Sequence, residues 1–207
     1  MTPSANAVIT PERFAQGLSY SDFLARAVVN RDKFELNYKT TPLSDDDVSF
    51  FRSAAAAPHG IAKILAIGEH WCGDVYRELP TVARISEEAG IELRIFLRDE
   101  NPDIMDEFLS NDGKARAIPV FVFYSTDLQY IGRFVERPAS AQREIDSILD
   151  EINSRLNLPV GTTFTNLPEE ARREIIARIM PLFPQWRKES IAEMRQILSS
   201  ELHLANA

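Results

Sequence analysis

The single thiol of this chain stands in a run that holds several other groups able to do chemistry, Glu69-His70-Trp71-Cys72-Gly73-Asp74-Val75. An apolar stretch of strand length, Ile61 to Gly68, precedes the run. Apolar residues at helical spacing follow it: Val75, Tyr76, Leu79, Val82, Ala83 and Ala89. Cys72 is therefore expected where a strand turns into a helix. A thiol there faces unpaired backbone N–H groups and the positive end of the helix dipole, and both favour the nucleophilic thiolate. Glu69 and Asp74 oppose this with negative charge, and His70 assists only when protonated. An arbitrary lone cysteine reads as a small buried hydrophobe, but this position favours a nucleophile. With one cysteine, neither an intrachain disulfide nor a Cys-rich zinc site can form. His70 and Cys72 are too few for zinc, and no motif places His59 or His203 beside them, so no metal is expected. Arg98, Arg133 and Arg137 could hold the carboxylate of a small thiol at the reactive edge. Their plainer reading is solvated arginines paired with Asp99 or Glu136.

The elements that must position this run come from changes of periodicity along the chain, which divide it into three segments: 1–58, 59–156 and 157–207. In the first, Thr10 reads as an N-cap with Pro11 at the first helical position. Phe14, Leu18, Phe23, Leu24, Ala27 and Val28 suit one or two short helices, and Phe34 to Tyr38 another. Ser44 and Asp47 form an acidic capping box for a helix through Val48, Phe50, Phe51 and Ala54 that Pro58 ends, so Asp45, Asp46 and Asp47 suit a helix start better than a metal. The middle segment alternates. After the helix that Gly90 closes come a strand at Ile91 to Leu97, a short helix at Pro102 to Leu109 and a turn at Asn111-Asp112-Gly113. A strand at Pro119 to Tyr124, its hairpin partner at Leu128 to Phe134 and a long helix from Pro138 complete the segment. The order β-α-β-α-β-β-α predicts a four-stranded mixed sheet, its first two strands parallel and the closing hairpin antiparallel, with helices on both faces. Phe121 and Phe123 are core residues of its third strand. The third segment opens with a loop at Leu158-Pro159-Val160-Gly161 and continues as helices from Pro168, interrupted at Pro181 and Pro184, with Trp186 as their docking aromatic.

The 207 residues are 44% hydrophobic and 26% charged, the profile of a globular chain that buries roughly 70% of its unfolded surface. A net charge of -8 argues against a sequence-independent grip on nucleic acid or an anionic membrane. No basic stretch leads into an apolar run at the start, and nowhere do about 18 apolar residues follow one another, so a cytoplasmic location is expected.

Trp71-Cys72-Gly73 resembles the start of the thioredoxin motif Trp-Cys-Gly-Pro-Cys. Pro80 follows Cys72 by eight residues, like the helix-kinking proline of thioredoxins, and Ile118-Pro119 resembles that family's Ile and cis-proline pair. The element order is also that family's fold. A closer likeness, over roughly Glu12 to Ile152, rests on Trp71-Cys72-Gly73-Asp74, Arg98-Asp99-Glu100-Asn101, Met105-Asp106, Leu109, Ala117-Ile118-Pro119 and Arg137-Pro138. It is to a bacterial group of cytosolic thioredoxin-like proteins with a helical N-terminus. The resemblance implies an α/β thioredoxin fold with helical N- and C-terminal extensions, Cys72 as catalytic nucleophile, and Trp71, Gly73, Asp74, Ile118 and Pro119 at the substrate groove, with Pro119 in the cis form.

Two departures bear on activity. Val75 occupies the position of the resolving cysteine, so no internal thiol can release a bound substrate. Ala66 stands where thioredoxins keep a buried carboxylate. The leading expectation is a monothiol protein in thiol–disulfide exchange, its Cys72 forming mixed disulfides with protein disulfides or low-molecular-weight thiols that an external thiol resolves. No cofactor is expected beyond a small thiol such as glutathione. The alternative is a non-catalytic thioredoxin-fold binding or scaffold protein. Iron–sulfur carriage is a third reading, but the glutaredoxins that perform it carry Cys-Gly-Phe-Ser, of which only the Gly is matched here.

Overall fold

In a computed structural model the chain is described over residues 8–159 and 161–204; Val160 of the expected loop lies outside this range. Packing resolves the chain into two compact units, one formed by residues up to 136 together with those from 191 onward, the other by 137–190.

The first unit is built on a four-stranded sheet: β1 (Lys63–Gly68), β2 (Glu92–Leu97), β3 (Val120–Tyr124) and β4 (Tyr130–Val135), in the order β2-β1-β3-β4. β1 and β2 are parallel, while β3 runs antiparallel to β1 and to β4. This is the expected mixed sheet. Every residue of β3, Phe121 and Phe123 included, is buried, as a central strand covered on both faces requires. One expectation shifts: Leu128 belongs to the turn, with φ +58°, and β4 starts two residues later, after a bulge at Phe123/Tyr124.

Four helices precede the sheet: α1 (Pro11–Ala15), α2 (Tyr20–Ala25), α3 (Arg31–Thr40) and α4 (Asp45–Ala56). Their starts follow the local chemistry. The Thr10 hydroxyl accepts from the Arg13 N–H, and Ser44 and Asp47 cap α4 reciprocally. Phe14, Phe23, Phe34 and Phe51 of these helices are buried in the same core as Ile64, Leu65 and Ile67 of β1. Between α1 and α2, Leu18 exchanges both backbone hydrogen bonds with Ile95 and so pairs with the outer edge of β2. Gly17 permits that approach, since a Cβ there would lie 2.7 Å from the Arg94 Cβ.

Between β1 and β2 runs α5 (Gly73–Ala89), closed by Gly90 in the left-handed conformation. A short α6 (Pro102–Asp106) separates β2 from β3. Pro80 sits inside α5 and has no N–H to offer the carbonyl four residues earlier, that of Tyr76. The Asn37 side-chain amide of α3 donates to that carbonyl at 2.8 Å. A residue of the N-terminal helices thus completes the backbone hydrogen bonding of the helix that starts at Cys72.

The second unit holds α7 (Ala139–Arg155), α8 (Glu169–Ile179) and the first part of α9 (Phe183–Glu201). Ile148, Ile152, Leu167, Ala171 and Ile175 form a small core of its own. Trp186 is fully buried and donates its indole N–H to Glu144 at 2.6 Å, the docking role expected of it.

Replacing Asn37 by Leu leaves the Tyr76 carbonyl without this donor and should cost about 1–3 kcal/mol of stability in urea denaturation. In a Pro80→Ala background, where the backbone can supply the N–H, the same replacement should cost measurably less.

Candidate functional site

Strand β1 ends at Gly68, and the chain turns through Glu69-His70-Trp71 before Cys72 caps α5 with extended backbone, φ -83° and ψ 127°. Gly68 is needed at this corner because a Cβ would come within 2.8 Å of a Val75 methyl. Val75 itself is fully buried, so the position three residues after the thiol is filled by tight apolar packing.

Cys72 is half-buried, and its Sγ donates to the Ile118 carbonyl at 3.6 Å. The Ile118–Pro119 peptide bond is cis. Trp71 is half exposed, with the Arg98 guanidinium 4.9 Å from its ring centre. The structure therefore brings Trp71, Cys72, Gly73 and Asp74 together at one corner, with Ile118 at the thiol. A Cβ on Gly73 would meet the outer end of the Tyr76 ring at ordinary distances of 3.6 to 3.9 Å, so among the described residues no close contact demands glycine there.

The neighbours differ from their sequence expectation in instructive ways. His70 is engaged elsewhere: it is buried, its ring lies tilted against Phe23 at 4.1 Å between ring centres, and its Nε2 bonds the Phe23 carbonyl at 2.8 Å. Its own carbonyl accepts from the Asn30 amide at 2.9 Å. His70 is thus a bolt between the corner and helices α2 and α3. Glu69 is buried and accepts from the Asp99 N–H at 2.9 Å, fastening the corner to the end of β2. The arginines do not form one rim. Arg98 follows edge strand β2 and bonds Asp99, while Arg133 lies on the opposite edge strand, β4.

Electrostatic order comes from α5 itself. Asp74 is paired with Arg77 at 2.8 Å, and Arg77 also bonds Glu78 at 2.6 Å, both of the latter being buried. Burial alone would lower the Arg77 pKa, but Glu78 and then Asp74 reverse this and hold it above its ordinary value. Burial, and next the charge of Asp74, push the Tyr76 hydroxyl upward, with Arg77 acting the other way. Ala66 is buried in the core, so the carboxylate that β1 lacks has no substitute on that strand. Arg77, Glu78, Asn30 and Asn37 were not singled out from the sequence. The Asp74/Arg77 spacing of three was a usable signal for one pair; the partners of the two asparagines are 40 and 39 residues away and carried no signal.

A βαβ unit followed by an antiparallel hairpin, with a thiol capping the first sheet helix and a cis-proline beside it, defines the class of thioredoxin-like proteins. A family model described as Thioredoxin matches residues 17–149, and the chain belongs to that family. No curated protein matches the sequence. Among solved structures it is similar to a protein of unknown function from Pseudomonas aeruginosa, with 17% identity, a TM-score of 0.58, and coverage of 90% of this chain and 95% of that one. It is also similar to an HIV epitope scaffold, with 16% identity, a TM-score of 0.59, and coverage of 91% and 96%. At such identities the likeness is one of fold. Among the described residues no group of three or more His, Cys, Asp or Glu is arranged to hold a metal, and no helix is long and apolar enough to cross a membrane.

Cutting Arg77 to Met strands a buried carboxylate and should cost about 3–5 kcal/mol at neutral pH. Adding Glu78→Gln should recover much of that loss, as read from denaturation midpoints of the two variants.

Proposed function

We propose that this chain is a monothiol thioredoxin-like protein acting in thiol–disulfide exchange, with Cys72 as its nucleophile. The observation that carries the proposal is a half-buried thiol at the head of α5, 3.6 Å from the carbonyl that precedes a cis-proline. The first backbone N–H groups of α5 favour the thiolate, and the 2.8 Å pairing of Asp74 with Arg77 offsets the negative charge of Asp74. The thiolate attacks one sulfur of a substrate disulfide. A bond forms from Cys72 to that sulfur, and the other leaves as a thiolate that takes up a proton. With Val75 in the resolving position, a second, external thiol attacks the mixed disulfide at the substrate sulfur and returns Cys72 as thiolate. In this reading the substrate rests against Trp71, Gly73, Asp74, Ile118 and Pro119. The substrates of this reading are protein disulfides or the disulfides of low-molecular-weight thiols such as oxidised glutathione, in a cytoplasm that supplies the external thiol.

A second reading, a non-catalytic binding protein, draws support from the same hydrogen bond, because only the protonated sulfur can donate to the Ile118 carbonyl. One experiment separates the two. Native protein incubated with oxidised glutathione should give a single adduct by intact mass, stable until free thiol is added, and absent in Cys72→Ser. If Cys72 stays unmodified in the folded protein and reacts only after unfolding, the exchange reading is wrong and the binding reading stands.

Val75→Cys supplies the missing internal thiol. In that variant the glutathione adduct should collapse without added thiol, giving an internal disulfide, and insulin reduction driven by dithiothreitol should rise above the wild-type rate.

A further inference from the structure

On the first unit, away from the thiol, a cleft of about 500 Å³ opens between α2, α3, the second half of α5 and the start of β2. This is within the usual range of small-molecule sites. Leu24, Ala83, Ile91 and Leu93 supply apolar surface to it. Tyr20 and Tyr38 stand against one another, their rings stacked at 5.3 Å and 21°. Glu35 and Glu87 contribute carboxylates, and none of the lining residues is Lys or Arg.

These groups are built into the surroundings. The Tyr38 hydroxyl donates to the Glu87 carboxylate, and the Tyr20 hydroxyl donates to the Phe34 carbonyl at 3.4 Å. Arg31 meets Glu35 at 2.8 Å on the exposed side of α3, and the Arg84 guanidinium stands 5.5 Å from the Tyr38 ring. Neither cation is among the residues that line the cleft, and Arg84 takes up one face of the Tyr38 ring. An exposed pair at this helical spacing is weak and leaves the carboxylate available to a second cation. Burial above all, with smaller contributions from Tyr38, Glu35 and Glu87, pushes the Tyr20 hydroxyl far above its ordinary value, so it stays protonated at this wall.

We propose that this cleft is a binding site for a small organic cation, an alkyl- or arylammonium whose apolar body lies on Leu24, Ala83, Ile91 and Leu93 and whose charged head meets Tyr20, Tyr38, Glu35 and Glu87. The Tyr20 ring attracts a cation through its quadrupole, and carboxylates at the same wall select it over a neutral molecule of equal size. An anion of that size meets two like charges and no basic partner in the lining. The site shares no residue with the Cys72 corner and is independent of its chemistry.

Three probes with the same eight-carbon chain test this on the full-length protein: n-octylammonium, n-octanol and n-octanoate, each below its micelle concentration, followed by titration calorimetry at neutral pH. Octylammonium should bind at least about tenfold more tightly than octanol, and octanoate most weakly. The double variant Glu35→Gln/Glu87→Gln, two exposed positions whose replacement leaves the core untouched, should bring octylammonium down to the level of octanol. Cys72→Ser should bind all three as the wild type does. Equal affinity for the three probes, preference for octanoate, no saturable binding, or an undiminished preference in the double variant would each overturn the proposal.

Discussion

The rest of the site depends on one corner of backbone, where β1 gives way to α5 and the helix has to start with Cys72 at its cap although Pro80 has already removed one of its internal hydrogen bonds. A short corner and an interrupted helix would leave the thiol loosely placed. The N-terminal helices prevent this by direct bonds to the corner: Phe23 to the His70 ring, Asn30 to the His70 carbonyl, and Asn37 to the Tyr76 carbonyl. From the other side Glu69 fixes the corner to the backbone of Asp99. Each bond satisfies a polar group that would otherwise be costly to bury, so the extension is part of the site's support and not an appendage.

The distribution of buried charge follows a similar logic. Strand β1 is apolar at Ala66, and the charge near the thiol comes instead from α5, as the linked set Asp74, Arg77 and Glu78. Such a set adds little net stability compared with apolar packing, but it is intolerant of losing one member, and it fixes where the Asp74 carboxylate lies relative to the helix start. Val75, at the position three residues after the thiol, packs onto Gly68.

Edge protection links the extension to the sheet as a whole. β2 is an outer strand, and the bridge through Leu18 covers part of its free edge, with Gly17 allowing the backbone to come close enough. The helices that follow this bridge are the ones that reach the corner. The stretch from Gly17 to Asn37 thus covers part of a sheet edge and supports the thiol corner, a coupling that the separate periodicities of its short helices do not display.

Much of the architecture was legible without coordinates because it rests on short-range chemistry. The alternation of apolar runs, the caps at Thr10, Ser44 and Gly90 and the parallel-then-hairpin order follow from period, capping and handedness, all of which act within a few residues or one crossover. Cys72 at a helix start was legible for the same reason. Leu128 was misplaced because a bulge and a left-handed turn residue are set by cross-strand register, which a single strand's pattern does not contain. The orientation of His70 toward Phe23, the asparagines that fill backbone vacancies, the burial of Arg77 with Glu78 and the stacked tyrosines of the cleft were decided only in three dimensions. Each of these depends on which donor, charge or ring is brought opposite from another part of the chain, and that pairing is a property of packing geometry, not of residue type or spacing.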